Sequence, residues 1–174
     1  MDGHNSSTQT EYVEFVQPPP MYSLSSDICP TNKPIIYVVD SGIRTTGSTF
    51  GDKVTFLYSA VQDAKVGSGD YDPGNHGMDS LFIFTLILKG TRVASIISDK
   101  LIGLYRCANL YDVRVCDGYR GCYEREVTDG LERIRRHVNK TGQIGIINMS
   151  FHTQYSHSLE KKISAVYALF LSQH

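Results

Sequence analysis

An uninterrupted apolar pattern lies at residues 35–39, where five β-branched or aromatic side chains run straight into Asp40. A continuous run of this kind, bounded by Pro34 and Gly42, predicts a strand that is buried on both faces. Asp40 then lies at the carboxyl end of the strand, which is where open α/β sheets place their sites. These residues alone are equally compatible with an aspartate that only caps the following turn.

Two further strands are predicted later in the chain. Residues 110–115 alternate with period two and are followed by the turn dipeptide Asp117-Gly118, while residues 144–149 form another apolar run that reads as buried. A short strand pattern precedes them at residues 53–58.

Helical spacing of apolar residues appears in the second half of the chain. It covers residues 127–138, with a stop near Gly142, and residues 159–170. Residues 91–97 fit either a helix or a strand. Strand, helix, strand, helix is typical of a parallel sheet with right-handed crossovers, so we expect the strands side by side, helix 127–138 packed on them and Asp40 at their carboxyl edge.

Two segments fall outside this pattern. Residues 1–33 are predicted to be an extended or disordered leader, because their polar side chains and the prolines at 18–20 offer little apolar surface to bury. Residues 34–174 are then left for one domain. Within that domain, a loop rich in Gly and Asp leads to His76 and is followed by an anomalous apolar insertion at 78–90.

Composition narrows the classes of function. The 174 residues are 41% hydrophobic and 20% charged, and the formal net charge of −1 argues against a nucleic-acid partner. No stretch approaches the roughly 18–20 apolar residues that a membrane span needs. The first residues are polar and show no signal peptide, which leaves the compartment open. The four cysteines permit two disulfides without requiring them, and their spacing fits no zinc template.

Four blocks, taken in order, resemble the subtilisin-like serine proteases (subtilases), and the proteinase K branch most closely. Ile36-Tyr37-Val38-Val39-Asp40-Ser41-Gly42-Ile43 resembles the family's aspartate motif, and Asn75-His76-Gly77 joined to Thr91-Arg92-Val93-Ala94-Ser95 resembles its histidine motif. Residues 108–115 match the strand after that helix, and residues 146–150 match the strand leading to the substrate cleft. The resemblance implies an α/β fold with a parallel sheet between helical layers, of which residues 34–174 are an incomplete, amino-terminal half only.

By this resemblance, Asp40 is the orienting acid and His76 is the general base of an Asp–His–Ser arrangement. The carboxylate fixes the imidazole tautomer, and the imidazole takes the serine proton and later protonates the leaving amine. The alternative for His76 is a loop histidine beside Asp70 and Asp72, with an adventitious metal contact at most.

The resemblance also implies where a substrate binds. Family members pair a peptide as an added strand with the edges of the cleft. The match assigns Gly118 and Gly121 to one edge, and Ser150 and Phe151 to the other. The alternative is a plain turn and a strand end. His152 departs from the family, in which a small residue lets the peptide backbone approach.

The family's nucleophile motif, of the Gly-Thr-Ser type, has no match in residues 1–174, nor does its oxyanion asparagine. Ser41, Ser95 and Ser150 lie in motifs where the family has a small residue that is not the nucleophile. An activated serine with its base contributes about a millionfold in rate, and one oxyanion donor about a hundred- to a thousandfold. The chain as it stands is therefore predicted to be truncated before the nucleophile and inactive. The sheet surface that the missing half would cover exposes apolar side chains, which predicts poor solubility.

Two functions remain open at this stage. The first is a subtilisin-like serine endopeptidase, which needs the missing carboxyl-terminal half of the same domain as a partner. The second is a non-catalytic truncated isoform or a peptide-binding pseudoprotease fragment. Both take a peptide or protein as substrate or ligand and imply no cofactor and no metal. A nucleotide-binding domain is disfavoured because no Gly-rich phosphate loop follows the first strand.

The insertion at 78–90 is predicted not to belong to the working protein. Removing it joins Gly77 to Thr91 and restores a His-Gly-Thr motif in which the histidine opens a helix. If the insertion stays, Lys89 stands where the base belongs. The codons at its two ends can carry the terminal dinucleotides of an intron, and its removal keeps the reading frame. The alternative is a genuine apolar loop over the cleft.

Overall fold

The computed structural model describes residues 29–45, 50–61, 89–117, 121–154 and 156–171. The elements in chain order are β1 Ile35–Asp40, β2 Val54–Ser59, α1 Lys89–Ser98, β3 Asn109–Arg114, β4 Cys116–Asp117, β5 Gly121–Cys122, α2 Glu124–Thr141, β6 Ile146–Met149 and α3 His157–Leu171.

The main sheet has the strand order β2-β3-β1-β6, and all of its neighbouring strands pair in parallel. This arrangement confirms the predicted α/β fold with a parallel sheet. β1 lies between β3 and β6, so its backbone is hydrogen-bonded on both sides. Asp40 is the last residue of β1 and lies opposite Arg114 of β3, at the predicted carboxyl edge of the sheet.

Helices cover both faces of this sheet. Tyr37 and Val39 of β1 point into a core that includes Leu131 of α2 and residues of α3. Val38, which alternates with them, packs in a second core with Ala94 of α1. The strand is therefore buried on both faces, which explains why its sequence is continuously apolar instead of alternating.

The predicted helices both form and extend slightly beyond their predicted ends. In α2 the residues at helical spacing are all buried: Val127, Leu131, Ile134 and Val138. The helix ends at Gly142, which has a φ of 67° and donates its N–H to the Val138 carbonyl at 2.8 Å. A left-handed glycine of this kind is a common helix terminator.

The prediction of a buried strand at 144–149 is wrong in two respects. The strand is shorter, Ile146–Met149, and it lies at the edge of the sheet, where Ile146 is 62% exposed. A run of apolar residues cannot by itself distinguish an edge strand from a central one. Residues 91–97, which the sequence left undecided, belong to helix α1.

Large apolar side chains are exposed in a second region, at the end of α1 and in the loop after it. Ile96, Leu101, Ile102 and Leu104 are each more than half exposed. Exposed apolar surface of this kind favours association between molecules. Poor solubility therefore stays a prediction for the isolated chain.

The cysteines, whose pairing the sequence left open, form two disulfides. Cys29–Cys107 joins the segment before β1 to the segment before β3. Cys116–Cys122 closes the small antiparallel hairpin of β4 and β5.

Several predictions fall on residues outside the described ranges. They are the leader up to residue 28, His76, Gly118, and the insertion except for its last two residues, Lys89 and Gly90.

Candidate active site

Asp40 is a buried carboxylate at the end of a central strand. The side chain is 1% exposed, and the Val115 N–H binds the Asp40 backbone carbonyl at 2.9 Å, which continues the pairing of β1 with β3. The local sequence explains this position, because the apolar run places β1 in the middle of the sheet and Asp40 ends that run.

The two carboxylate oxygens of Asp40 differ in their surroundings. Oδ1 accepts a hydrogen bond from the Ser41 N–H at 2.8 Å, whereas Oδ2 is buried and has no hydrogen-bond partner among the described residues. Burial raises the pKa of Asp40, although the Ser41 N–H and the positive charge of Lys89 act in the opposite direction. A buried acceptor without a donor is uncommon, and it indicates a place where a further donor belongs.

The first turn of α1 packs directly on the turn that follows Asp40. The Gly90 N–H lies 3.2 Å from the Ser41 hydroxyl oxygen, and the Arg44 N–H donates to the Thr91 hydroxyl at 2.8 Å. A Cβ on Gly90 would lie 2.4 Å from the Gly42 carbonyl oxygen, so only glycine fits there. Lys89, the residue before it, opens the helix beside Asp40.

A second carboxylate, Asp112 of β3, lies beneath the same turn, and our sequence analysis missed it. It is 7% exposed, and its Oδ2 accepts a hydrogen bond from the Ile43 N–H at 3.2 Å. Burial raises the pKa of Asp112 to about 7, while the Ile43 N–H and Arg114 lower it and Asp40 raises it further. The only signal in the sequence was a charged residue within a strand that pairs with β1.

An open pocket of about 850 Å³ lies where β5, the start of α2 and the segment after β6 meet. Its lining includes Gly121, Tyr123 and Asp129 on one side and His152 and Gln154 on the other. The pocket therefore places Gly121, a predicted substrate-binding residue, next to residues 152–154, which follow Ser150 and Phe151.

Ser150 and Phe151 directly precede the lining residue His152 but do not line the pocket themselves. The Ser150 hydroxyl donates to the Asn148 side-chain oxygen at 2.9 Å, and Phe151 packs against the core under α2 and α3.

Three serines that lie in family-like motifs but are not the nucleophile have local hydrogen-bond partners: Ser41, Ser95 and Ser150. Ser95 donates its hydroxyl to the Thr91 carbonyl within α1, and Ser41 and Ser150 make the bonds given above. Within the described ranges, no group of three or more His, Cys, Asp or Glu side chains could hold a metal ion, and no helix is both long and apolar enough to cross a bilayer.

The fold and the buried acid define a class: an α/β protein with a parallel sheet and a carboxylate at the carboxyl end of a central strand.

No family model matches the chain. Two curated proteins do: alkaline protease 1 of Aspergillus clavatus is 29% identical over 133 residues, and alkaline protease 1 of Emericella nidulans is 28% identical over 133 residues. Each match covers 75% of this chain and 28% of the relative, so the chain spans little more than a quarter of their length.

A solved structure of a cold-adapted subtilisin-like serine proteinase has the same fold. Its TM-score is 0.53 at 18% sequence identity, and the match covers 77% of this chain and 42% of that one. The chain is thus similar in sequence to two alkaline proteases and shares the fold of a subtilisin-like serine proteinase.

Proposed function

We propose that this chain supplies the acid and base part of a subtilisin-type serine endopeptidase site, together with part of its peptide-binding cleft. The observation that carries the proposal is Asp40, a buried carboxylate at the end of β1 with one oxygen held by Ser41 and the other, Oδ2, without a described donor. The relatives' names, alkaline protease and serine proteinase, support the same reaction class.

In the proposed reaction, Asp40 Oδ2 accepts a hydrogen bond from a histidine Nδ1–H. This bond leaves the other ring nitrogen, Nε2, as the base that takes the proton of a serine hydroxyl. The carboxylate then stabilises the imidazolium that forms. The serine and the oxyanion donor have no motif match in residues 1–174, so this chain by itself does not hydrolyse peptides.

His76 is the proposed base, although the described structure has Lys89 at the start of the helix beside Asp40. A lysine there is a poor substitute, because its ammonium group cannot accept a proton while it is charged and it has no second nitrogen to face a serine. His76-Gly77 lies directly before the insertion, and Lys89-Gly90 forms its end, so a glycine is the second residue of each pair. Joining Gly77 to Thr91 would preserve the glycine that the contact with Gly42 requires and would exchange lysine for histidine.

We therefore propose that residues 78–90 are absent from the catalytically competent product. Transcripts read across the codons for 76–91 test this proposal, and we expect a form that lacks the thirteen codons of 78–90. If nearly all transcripts keep them, the proposal is wrong, and the apolar-loop alternative is favoured.

The pocket beside β5 is the proposed peptide-binding region. The proposal is that Gly118 and Gly121 flank an extended peptide on one side and that Ser150 and Phe151 flank it on the other, through backbone hydrogen bonds. The pocket supports it because its lining joins Gly121 to residues 152–154, which directly follow Ser150 and Phe151. His152 lines the pocket, and its imidazole narrows the space that a glycine would leave open.

Activity is tested on the purified chain of residues 1–174 with a fluorophosphonate probe and a mixed peptide substrate. We expect neither covalent labelling nor hydrolysis, because an unactivated serine does not react with the probe. Labelling of a serine that disappears in Asp40→Ala would show that the chain holds a complete site and would overturn the proposal of inactivity. Peptide binding without hydrolysis would favour the non-catalytic, peptide-binding form.

A further inference from the structure

Three charged side chains lie together on one face of the sheet near its carboxyl edge. β1 and β3 pair so that Asp40 is opposite Arg114 and Val38 is opposite Asp112. Residues opposite each other in parallel strands share a face, and residues two apart in one strand do so as well. Asp40, Asp112 and Arg114 therefore all face α1, and all three are less than a tenth exposed.

This cluster lies directly under the turn that follows Asp40. Asp112 Oδ2 holds the Ile43 N–H at 3.2 Å, and the Arg114 Cδ lies 3.2 Å from where a Cβ of Gly42 would be. Gly42 has a φ of 103°, a left-handed conformation that only glycine adopts without strain. Contacts from outside the turn therefore help to hold this backbone conformation, and two of them come from side chains of β3, Asp112 and Arg114.

We propose that Asp112 is a positioning residue for Asp40. Asp112 holds the 41–43 turn closed through the Ile43 N–H and sets the charge around the Asp40 carboxylate. This inference rests on the proposed function, in which Asp40 orients the base. The Asp112 carboxyl accepts from the Ile43 N–H in either protonation state, since a neutral carboxyl still has a carbonyl oxygen. Its charge, however, changes near neutral pH, where its pKa of about 7 lies.

The charge effect has a definite direction. Asp40 disfavours ionisation of Asp112, because the two are like charges in a buried place. An interaction between two titrating sites is mutual, so a charged Asp112 disfavours ionisation of Asp40 as well. Arg114 opposes this effect at Asp112, and Lys89, at the start of α1, opposes it at Asp40. When Asp112 loses its proton, Asp40 therefore binds its own proton more tightly, and the negative charge of Asp112 adds to the field at a histidine beside Asp40.

Two substitutions separate the hydrogen bond from the charge. Asp112→Asn keeps an acceptor for the Ile43 N–H and removes the charge, whereas Asp112→Val has a similar shape and removes both. The matched control is Asp99→Asn, because Asp99 is 8% exposed and also accepts backbone N–H groups, from Leu101 at 2.7 Å, but lies in the loop after α1.

The readouts are the Asp40 carboxyl titration by carbon NMR and amide hydrogen exchange at Ile43, both on the full chain. We expect the Asp40 carboxyl signal to show a second inflection near pH 7, where Asp112 ionises, in the wild type and in Asp99→Asn, and to lose it in both Asp112 variants. Exchange at Ile43 should quicken by about tenfold in Asp112→Val, as expected for the loss of one buried hydrogen bond, and change little in Asp112→Asn.

An unchanged Asp40 titration in Asp112→Asn would overturn the inference, and this variant carries the test even if Asp112→Val does not fold. A purely structural role would lower stability without moving the Asp40 titration. Neither readout uses peptide hydrolysis, so the outcome is separate from that of the proposed function: Asp40 can prove non-catalytic while both shifts are seen.

Discussion

The contact between Gly90 and Gly42 should be among the most sensitive points of the molecule, and Gly90→Ala tests it. An alanine Cβ would lie 2.4 Å from the Gly42 carbonyl oxygen and 3.1 Å from the Gly42 carbonyl carbon and nitrogen. Because ordinary contacts begin near 3.4 Å, the helix or the turn must move by about 1 Å. Neither yields easily, since the atoms that must move are backbone atoms held by Asp112 and by β1.

The size of the effect follows from opposing contributions. Replacing a helical glycine with alanine gains at most about 1 kcal/mol of helix propensity. Overpacking costs about 1–3 kcal/mol, and losing the bond from the Gly90 N–H to the Ser41 hydroxyl costs about 1 kcal/mol more. We therefore expect Gly90→Ala to lower the free energy of unfolding by about 2 kcal/mol, which is roughly a thirtyfold fall in the folding constant.

Urea denaturation followed by circular dichroism measures this change. For a slope near 2 kcal/mol per molar urea, the midpoint should fall by about 1 M. Gly142→Ala is the matched control: its φ of 67° disfavours alanine, but no atom lies within 4 Å of the new Cβ, so only backbone strain of about 1 kcal/mol is expected. A Gly90→Ala protein as stable as the wild type, or more stable, would refute the proposed packing of α1 on the Asp40 turn.

Two further predictions concern α2. Burial, together with the charges of neighbouring basic residues, lowers the pKa of His137, whose Nδ1 lies 3.0 Å from the Tyr37 hydroxyl, so the unfolded chain binds a proton more readily. The stability that this difference provides is complete above about pH 6.5 and is lost as the pH falls. Between pH 7.5 and 5.5 the urea midpoint should therefore drop less in His137→Phe than in the wild type. An equal drop in both proteins would contradict this prediction. Glu132 binds Lys162 of α3 at 3.0 Å and two arginines of α2, and these partners lower its pKa. Glu132→Gln should therefore lower the free energy of unfolding by about 1 kcal/mol, whereas Glu160→Gln, at a more exposed pair, should lower it by less than about 0.5 kcal/mol. Equal losses would argue against the network around Glu132.

The sequence predicted the parts of the fold in which one pattern permits one structure. The apolar run before Asp40 predicted a strand covered on both faces, which β1 is, and the helical spacing from Val127 to Val138 gives one buried stripe. For residues 91–97 the pattern was ambiguous, and what settles the structure there is a tertiary contact, the packing of Gly90 on Gly42. The edge position of β6 was equally invisible, because it depends on which strands lie beside it.

The candidate site was predicted in part. Asp40 could be found because it ends a recognisable strand, and the motif around it resembles a known family. Asp112 was missed because a carboxylate in an alternating strand normally faces solvent, and only the covering helix α1 makes it buried. His76 and Gly118 lie outside the described residues, so their roles stay proposals.

The central claim is that Asp40 is the acid for a histidine that opens helix α1, and one titration tests it most directly. In the chain lacking residues 78–90, His76-Gly77 precedes Thr91, and nitrogen NMR can follow the His76 imidazole between pH 4 and 10. A carboxylate in contact with the ring favours its protonated form, so we predict a His76 pKa well above about 6.5 that returns toward this value in Asp40→Asn. A His76 that titrates near 6.5 in both proteins would contradict the claim.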